Sequence, residues 1–419
     1  MKLQLKITVL LLFCCLCNSL FGNPQTTYKM KITQNSISNF SVKLDIQLQD
    51  NYSSVDTVVI ELGGLFFDED GETFDAVENL IITSKQKIPF VFDRENKKIK
   101  ICKNKIYKNR LLLKYDFNFI WNVSRDESSI LFCNSQSYVE KPVPVIKNTD
   151  NIYISVKVKP FKNFICLTNI ENPGIYSDIN NVALCFVDTT LFTQKRFRTE
   201  FCNVNIFVND STLTKNNLDR LANKIKDCLE YFSKNISSYR FKNFNIIEVD
   251  WLASGSTYFG GIAYVYKSDI RTYTLFHELT HEWVGGQIKI KNNSKGEYLL
   301  KESLNDYLMT QFLRYEEGDS LYQVQIKNYI DLYNKYLTNN EDKSILDITK
   351  YVHSTHAIIM YKQVVLLDKL AQEVGYKKLN SVIFEFLKKS VGKEIETTQF
   401  LNLLKEEFGK PAINYCEKI

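Results

Sequence analysis

Histidine is scarce in this sequence, which has four histidines among 419 residues. None of the four lies between residues 28 and 198. That region therefore lacks the side chain that most often serves in acid–base catalysis and metal binding near neutral pH. We expect residues 28–198 to form a scaffold, and any reactive centre to lie in the remainder of the chain.

Closely spaced cysteine pairs are also absent after the first 22 residues. The chain has ten cysteines, and none of those beyond residue 22 form a Cys-x-x-Cys pair. This spacing argues against a metal site built from cysteine thiolates. In an oxidising compartment these cysteines would allow up to three disulfides, with the pairing left open by the sequence. They are Cys102, Cys133, Cys166, Cys185, Cys202, Cys228 and Cys416.

Clustered basic charge and long apolar runs are missing from most of the chain. The net charge is +5 and the basic residues are dispersed, so no nucleic-acid-binding surface is predicted. One apolar run, Ile7–Phe21, follows Lys2 and Lys6, which is the build of a secretory signal peptide. We expect residues 1–22 to direct the protein to a secreted, periplasmic or cell-surface location. An uncleaved N-terminal anchor is the alternative, and the only membrane attachment expected.

Apolar and polar residues alternate through much of the first half of the chain. Examples are Val42–Leu48 and Ile152–Val158. Strands with one buried face produce this period of two, and their number predicts an antiparallel, sandwich-like domain over residues 23–199. The pattern after Glu200 mixes strands with amphipathic helices. The predicted fold class is therefore α+β.

Two of the four histidines stand in the spacing His277-Glu278-x-x-His281. Residues four apart share one face of a helix, so both imidazoles can bind one zinc ion at about 2.0–2.1 Å. Glu278 lies beside that face, where its carboxylate can take a proton from water bound to zinc. The spacing therefore predicts a hydrolytic zinc site with its own general base.

The third ligand must come from another element. Glu302 and Asp306 lie four apart on a predicted helix, which suits a carboxylate ligand and a carboxylate that orients a histidine ligand. Glu297 is the competing ligand, but it lies in the turn-prone run that begins at Asn292 and has no matching aspartate.

These segments resemble the aminopeptidase N family of gluzincins, which includes the leukotriene hydrolase. The sequence His281-Glu-Trp-Val-Gly285 resembles the family's His-x-Trp-Phe-Gly, and Leu300–Tyr307 resembles its Leu-Asn-Glu-Gly-Phe-Ala-Ser-Tyr. The resemblance implies that Glu302 is the third ligand of one zinc ion per chain. It also implies that residues 200–419 form a thermolysin-like zincin domain, mixed at first and then α-helical.

The resemblance extends to a predicted strand before the zinc motif. Family members hold the substrate's amino terminus with the glutamate of a Gly-x-Met-Glu-Asn segment, and the corresponding stretch here begins at Gly260 and Gly261. Ala263 stands where that glutamate would be, which predicts that peptides with a blocked amino terminus are cleaved at rates comparable to those of free peptides. Glu282 and Asp250 are the alternative carboxylates.

A Tyr-x-Lys-Gly segment in the same family provides the tyrosine that stabilises the oxyanion. Aligning its lysine with Lys362 places Met360 at the tyrosine position, with Tyr361 one residue away. Tyr361 and His356 are therefore the candidate oxyanion donors.

The sequence as a whole predicts a secreted, aminopeptidase-like zinc metallopeptidase that acts on a peptide or protein. Two alternatives stay open at this point. One is an inactive zincin fold that serves as a binding module, and the other is a zinc hydrolase of a non-peptide substrate.

Overall fold

The computed structural model describes residues 26–36, 39–49, 56–61, 65–67, 73–75, 77–93, 98–118, 130–134, 145–146, 152–169, 174–176, 183–208, 215–249, 255–258, 261–266 and 273–419. The predicted signal peptide (residues 1–22), Gly260 and Asp250 lie outside these ranges. The chain divides into two compact units, Met1–Leu191 and Phe192–Ile419.

The described part of the first unit consists of strands and short 3₁₀ turns. The strands are β1 (Thr26–Gln34), β2 (Asn39–Gln47), β3 (Thr57–Glu61), β4 (Leu65–Phe67), β5 (Thr73–Asp75), β6 (Val77–Thr83), β7 (Val91–Asp93), β8 (Lys98–Cys102), β9 (Arg110–Asn118), β10 (Ile130–Asn134), β11 (Val145–Ile146), β12 (Ile152–Lys159), β13 (Phe164–Thr168), β14 (Gly174–Tyr176) and β15 (Ala183–Asp188). The 3₁₀ turns are Lys103–Lys105 and Tyr107–Asn109.

These strands form four sheets, and the three larger ones share one hydrophobic core. The largest sheet has the order β14-β12-β1-β2-β9-β6, and the others have the orders β11-β3-β8-β7, β10-β15-β13 and β4-β5. Alternate residues of β1, such as Tyr28, Met30 and Ile32, are buried in the same core as Ile60 of β3. The prediction of a β-rich, sandwich-like unit is confirmed, with one difference. Strands β1 and β12 pair in parallel, so the largest sheet is mixed.

A five-stranded sheet begins the second unit. Its order is β16-β17-β18-β20-β19, in which β17, β18 and β20 are parallel and the two outer strands are antiparallel. The strands of this unit are β16 (Thr193–Arg198), β17 (Asn203–Val208), β18 (Asn243–Val249), β19 (Gly255–Tyr258), β20 (Ile262–Tyr266), β21 (Lys289–Ile290) and β22 (Glu394–Ile395). The boundary between units lies before β16 rather than after residue 199, because β16 pairs with β17.

Helices make up most of the remaining described residues. They are α1 (Lys215–Asn235), α2 (Tyr273–Thr280), α3 (Leu304–Glu317), α4 (Asp319–Leu337), α5 (Gln363–Val374), α6 (Tyr376–Ser390), α7 (Thr397–Phe408) and α8 (Lys410–Lys418). Two five-residue π-helices lead into α3 and α5, and we call them the first π-helix (Leu299–Ser303) and the second π-helix (Ile358–Lys362). Short 3₁₀ helices cover Ile345–Asp347 and His353–Thr355. Across the described residues, no helix has the length and apolarity needed to cross a bilayer.

The core of the second unit joins the sheet to the helices. Buried residues of α1 recur every three or four positions, as in Leu221, Ile225 and Leu229, and they pack with sheet residues such as Ile206. Trp283 is fully buried in this core, where its indole N–H donates to the Ser237 carbonyl oxygen over 2.8 Å. The core therefore fixes the position of the segment that carries His277 and His281, because Trp283 follows that segment directly.

The connection between α2 and the first π-helix is held by a distant part of the chain. Strand β21 pairs in parallel with β22 through Ile290 and Ile395. The Thr397 hydroxyl donates to the Gly296 carbonyl oxygen over 2.8 Å, and the Gly392 N–H donates to the Gln287 carbonyl oxygen over 2.9 Å. We call this set of contacts the β21–β22 clamp.

A matched pair of glycine substitutions tests how tightly the sheet is packed. Gly261 and Gly375 both have positive φ, +95° and +92°. A Cβ atom at Gly261 would lie 2.2 Å from the Asn243 carbonyl oxygen, whereas one at Gly375 would meet nothing within 4 Å. We expect Gly375→Ala to lower the free energy of unfolding by about 1–3 kcal/mol through backbone strain alone. Gly261→Ala should add a further cost of about 1–3 kcal/mol from overpacking.

Urea denaturation of both variants, followed by circular dichroism, measures this difference. Equal midpoints for the two variants would contradict the close approach of β20 to Asn243.

Candidate metal centre

Helix α2 and the turn after it place the two motif histidines side by side. Helix α2 ends at Thr280, so His281 lies just beyond it, although its N–H still donates to the His277 carbonyl oxygen over 3.3 Å. The two imidazole rings are nearly perpendicular, at 85°, and their Nε2 atoms are 3.1 Å apart. Both rings therefore direct the same nitrogen towards one point.

The opposite ring nitrogens are occupied by acceptors. His277 Nδ1 lies 3.1 Å from Asp306 Oδ1, and His281 Nδ1 lies 3.4 Å from the Val284 carbonyl oxygen. Because a carboxylate and a carbonyl can only accept, each Nδ1 must carry the proton when the imidazole is neutral. This tautomer leaves both Nε2 lone pairs available to a metal ion.

Glu302 completes a set of three potential ligands. It lies on the first π-helix, and its Oε2 atom is 3.4 Å from His277 Nε2 and 3.6 Å from His281 Nε2. Ligands placed about 2.0–2.2 Å from a tetrahedral ion are separated from each other by about 3.3–3.6 Å. The three atoms therefore have nearly the spacing that zinc requires, and they form a group able to hold a metal ion.

Burial and charge give Glu302 and His277 opposite protonation preferences. Burial disfavours the charged form of Glu302, but the positive charges of His281 and His277, 3.6 Å and 3.4 Å away, outweigh it, so the pKa of Glu302 is lowered. Burial likewise opposes protonation of His277, yet its hydrogen bonds to Asp306 and Glu302 raise its pKa well above the ordinary value. The centre is thus strongly attractive to positive charge.

Glu278 differs from Glu302 in the direction of its pKa shift. It is buried, and burial raises its pKa despite the neighbouring charges of His281 and His277. A carboxylate with a raised pKa accepts a proton more readily than an ordinary one and can return it, which suits a general base.

Asp306 connects this centre to a neighbouring helix. It lies in the first turn of α3 and is 3% exposed. Its carboxylate contacts His277 Nδ1. Burial and the negative charge of Asp306 together raise the pKa of Tyr329 on α4. The residue predicted to orient a histidine ligand is therefore in contact with that histidine.

Tyr361 and His356, the two candidate oxyanion donors, are in contact with each other. The Tyr361 hydroxyl is 3.1 Å from His356 Nε2, and the Tyr351 hydroxyl is 2.5 Å from His356 Nδ1. The ring of Tyr361 stacks on Tyr329 at 5.5 Å. The proposed roles of Tyr361 and His356 stay predictions, and the structure places Tyr361 beside Tyr329 and His356 beside Tyr361.

The substrate-binding prediction for Gly261 and Ala263 needs correction. Ala263 is completely buried in the hydrophobic core, because β20 lies between β18 and β19. The Gly261 N–H donates over 3.0 Å to Glu282, whose carboxylate is also fully buried and accepts from Tyr239. Neither Ala263 nor Glu282 can therefore contact a substrate amine. The free edge of the described sheet on this side is β19 instead.

Glu297 is separated from the ligand set by its own partners. Its carboxylate accepts from the Asn293 N–H over 3.0 Å and from Lys301 over 2.8 Å, and so stabilises the turn before the first π-helix.

Two further residues near the centre, Tyr329 and Tyr351, were missed by sequence reasoning. Nothing in their spacing distinguishes them among 24 tyrosines.

Comparison with known proteins identifies relatives by structure alone. No family model matches the sequence, and no curated protein matches it. The M1 zinc metallopeptidase from Deinococcus radiodurans superposes with a TM-score of 0.63 at 14% identity, covering 94% of this chain and 93% of that one. A mutant of the same peptidase was solved bound to a Tyr-Ser-Ala substrate, and it superposes with a TM-score of 0.61 at 14% identity over 94% and 93% of the two chains.

Native yeast LTA4 hydrolase is a second kind of neighbour. It superposes with a TM-score of 0.60 at 13% identity, covering 93% of this chain and 66% of that one. These superpositions span both units and agree with the resemblance that the motifs carry. The chain therefore has the fold of the M1 zinc metallopeptidases and of LTA4 hydrolase.

Proposed function

We propose that this chain is a secreted zinc metallopeptidase with aminopeptidase-like architecture. The observation that carries the proposal is the spacing of His277, His281 and Glu302, whose ligand atoms are separated by 3.1–3.6 Å. A buried carboxylate, that of Glu278, accompanies them. Two imidazoles and one carboxylate are the donor set of catalytic zinc in many hydrolases, in which one position stays open for water or substrate.

Each residue around this position has a separate role in hydrolysis. Zinc, when bound, lowers the pKa of water to about 7 and polarises the substrate carbonyl. Glu278 accepts the proton of the attacking water on its carboxylate and returns it to the amine nitrogen that leaves. Asp306 holds His277 in the tautomer that a metal ligand needs, and the Val284 carbonyl does the same for His281.

A peptide is the substrate that best suits the surrounding fold. Strand β19 pairs only with β20 among the described strands, and it lies beside α2. A free strand edge can bind an extended peptide through backbone hydrogen bonds. The Deinococcus fold neighbour with a bound Tyr-Ser-Ala substrate supports the same choice.

The two alternatives to a peptidase are an inactive binding module and a zinc hydrolase of a non-peptide substrate. A binding module has no use for the buried Glu278 carboxylate, whose desolvation costs free energy and brings no catalysis in return. The fold that the chain shares with yeast LTA4 hydrolase is the reason that hydrolysis of a non-peptide substrate stays an alternative.

We further propose export through residues 1–22, with any membrane attachment confined to that segment and no nucleic-acid partner.

Removing one carboxylate tests the ligand assignment. Glu302→Gln should lose most of the one zinc ion expected per chain, because a neutral amide is a much poorer zinc ligand. Glu297→Gln is the matched control and should keep its zinc. Mass spectrometric metal analysis of both purified variants measures the difference, and zinc loss in the Glu297 variant alone would refute the assignment.

Removing the base tests the catalytic assignment. Glu278→Gln should bind zinc and fold as the wild type does, but it should hydrolyse peptides slower by about 10³-fold or more, since water is no longer deprotonated. A peptide library digested by both proteins provides the measurement. If the wild type cleaves nothing in that library, the binding-module function becomes the better one.

Blocking the peptide amino terminus tests where the enzyme cuts. Ala263 has no carboxylate, and the carboxylate of Glu282 is buried and accepts from the Gly261 N–H and the Tyr239 hydroxyl, so neither residue can bind the substrate's ammonium group. We expect acetylated and free peptides of the same sequence to be cleaved at comparable rates. A mass-spectrometric digest of matched pairs decides this. Stepwise trimming of free peptides alone would show that another carboxylate binds the amine.

A further inference from the structure

The pairing of four strands in the first unit lines up lysines that lie far apart in the sequence. In the largest sheet, Lys31 of β1 is opposite Lys157 of β12 on one side and Lys43 of β2 on the other. Lys43 is in turn opposite Lys114 of β9. All four are exposed. They form a continuous line across four neighbouring strands, in the order Lys157, Lys31, Lys43 and Lys114, and we call it the lysine row.

Alternation along each strand fixes the face of the sheet on which the lysine row lies. Lys31 stands between the buried residues Met30 and Ile32, and Lys43 and Lys114 likewise stand between two buried residues. Successive side chains of a strand point to opposite faces, so the apolar neighbours fill the core and the lysines face solvent. Because neighbouring strands are about 4.8 Å apart, the row is about 14 Å long.

The lysine row lacks the charge compensation found elsewhere in the first unit. Among the described residues of this unit, the basic side chains in ion pairs are those of Lys98, Lys100 and Arg110, none of which belongs to the row. Like charges directly opposite each other on neighbouring strands destabilise a sheet. The adjacent row avoids this cost, because Lys29 there is opposite Asp45. An arrangement that lowers stability in this way is most often found at a functional site.

Two carboxylates on the same face of the sheet are bound by other side chains. Arg110 donates to Asp45 from Nε over 2.8 Å and from Nη2 over 2.5 Å. Asp116 accepts from the Ser41 hydroxyl and from the Asn79 amide, each over 2.8 Å. Both carboxylates are held by these donors rather than by a lysine of the row. The lysine row therefore presents a line of positive charge to solvent.

The side chains on either side of the lysine row indicate which polyanion suits this face. Besides the two carboxylates, the described positions of the two adjacent rows include Glu78, Thr33, Ser41 and Ser155, and no aromatic residue. Single-stranded nucleic acids bind to aromatic rings on which bases stack, and membrane surfaces bind to exposed apolar and aromatic side chains. Ammonium and hydroxyl groups instead suit the sulfate or carboxylate groups and the hydroxyls of an acidic polysaccharide.

We propose that the lysine row binds an acidic polysaccharide, whose chain runs along the row so that successive anionic groups meet successive ammonium groups. An extended sugar chain carries its sulfate or carboxylate groups at intervals comparable with the separation of neighbouring strands, so each strand contributes one cation. The row lies wholly within the first unit, whereas the candidate metal centre lies in the second. Binding of the polysaccharide is therefore independent of the proposed peptidase function.

Removing the two central charges of the row provides the first test. The full chain with Lys31→Gln and Lys43→Gln should bind labelled heparin or polygalacturonate about 10–100-fold more weakly than the wild type, as measured by fluorescence anisotropy. The matched control, Lys98→Gln with Lys100→Gln, removes the same charge from the same unit, but from lysines in ion pairs. It should bind within about 3-fold of the wild type. Equal affinity of the wild type and the row variant would overturn the proposal.

Salt and competing polymers identify the class of partner. The affinity of the wild type for the acidic polysaccharide should fall about 10–100-fold between about 50 and 200 mM salt, because each ammonium group displaces a counterion from the polymer. Neutral dextran should not bind, and the comparison of heparin with polygalacturonate distinguishes sulfate from carboxylate recognition. Tighter binding to single-stranded DNA or to vesicles that contain phosphatidylserine would refute the choice of a polysaccharide. Failure to bind heparin and polygalacturonate at low salt would refute the site.

Stability separates a binding role of the lysine row from a structural one. Lys43→Glu places a carboxylate opposite Lys31 and Lys114, so it should raise the urea midpoint of the protein without polysaccharide and at the same time weaken heparin binding. Circular dichroism during urea denaturation measures the midpoint, and fluorescence anisotropy measures the binding. A lower midpoint for Lys43→Glu would show that the lysines stabilise the sheet, which contradicts the cost on which the proposal is based.

Discussion

The hydrogen bond between Asp306 and His277 is the contact on which the candidate centre depends. A buried carboxylate is costly unless its charge is compensated, and Asp306 is compensated by the imidazole of His277 on α2. Burial and the same charge raise the pKa of Tyr329 on α4. The contact between Asp306 and His277 fixes the tautomer of that histidine and links α2 to α3. Loss of this one carboxylate would disturb both the metal ligand and the packing between these helices.

Two carboxylates within the same centre acquire different properties from their surroundings. Despite burial, the charges of both histidines lower the pKa of Glu302, whereas burial outweighs the same charges at Glu278 and raises its pKa. The first is suited to stay ionised on a metal, and the second is suited to exchange a proton. Environments that move two similar groups apart in this way commonly separate the ligand role from the acid–base role.

The sequence predicted most of the centre but little of its surroundings. His277 and His281 were found because residues four apart share a helical face, although α2 ends at Thr280. The same spacing paired Glu302 with Asp306, and the family resemblance chose Glu302 as the third ligand, although Glu302 lies on a π-helix. Tyr361 was a candidate only through a family segment that matches with an offset of one residue, and it too lies on a π-helix. Tyr351 follows no period at all. The error at Ala263 has another cause, since alternation reveals that a strand exists but not whether β19 or β20 forms the edge.

The β21–β22 clamp has a consequence for how the protein is made. The segment between the histidines and Glu302 is held by Gly392, Ile395 and Thr397, and the Thr397 contact joins residues 101 positions apart. Contacts of such long sequence separation form late, because a large loop must close first. The segment that carries the third ligand is therefore held in its final position only after residues 392–397 have been synthesised. Until then the nascent chain has the two histidines without a fixed carboxylate beside them, and the candidate metal centre is completed last.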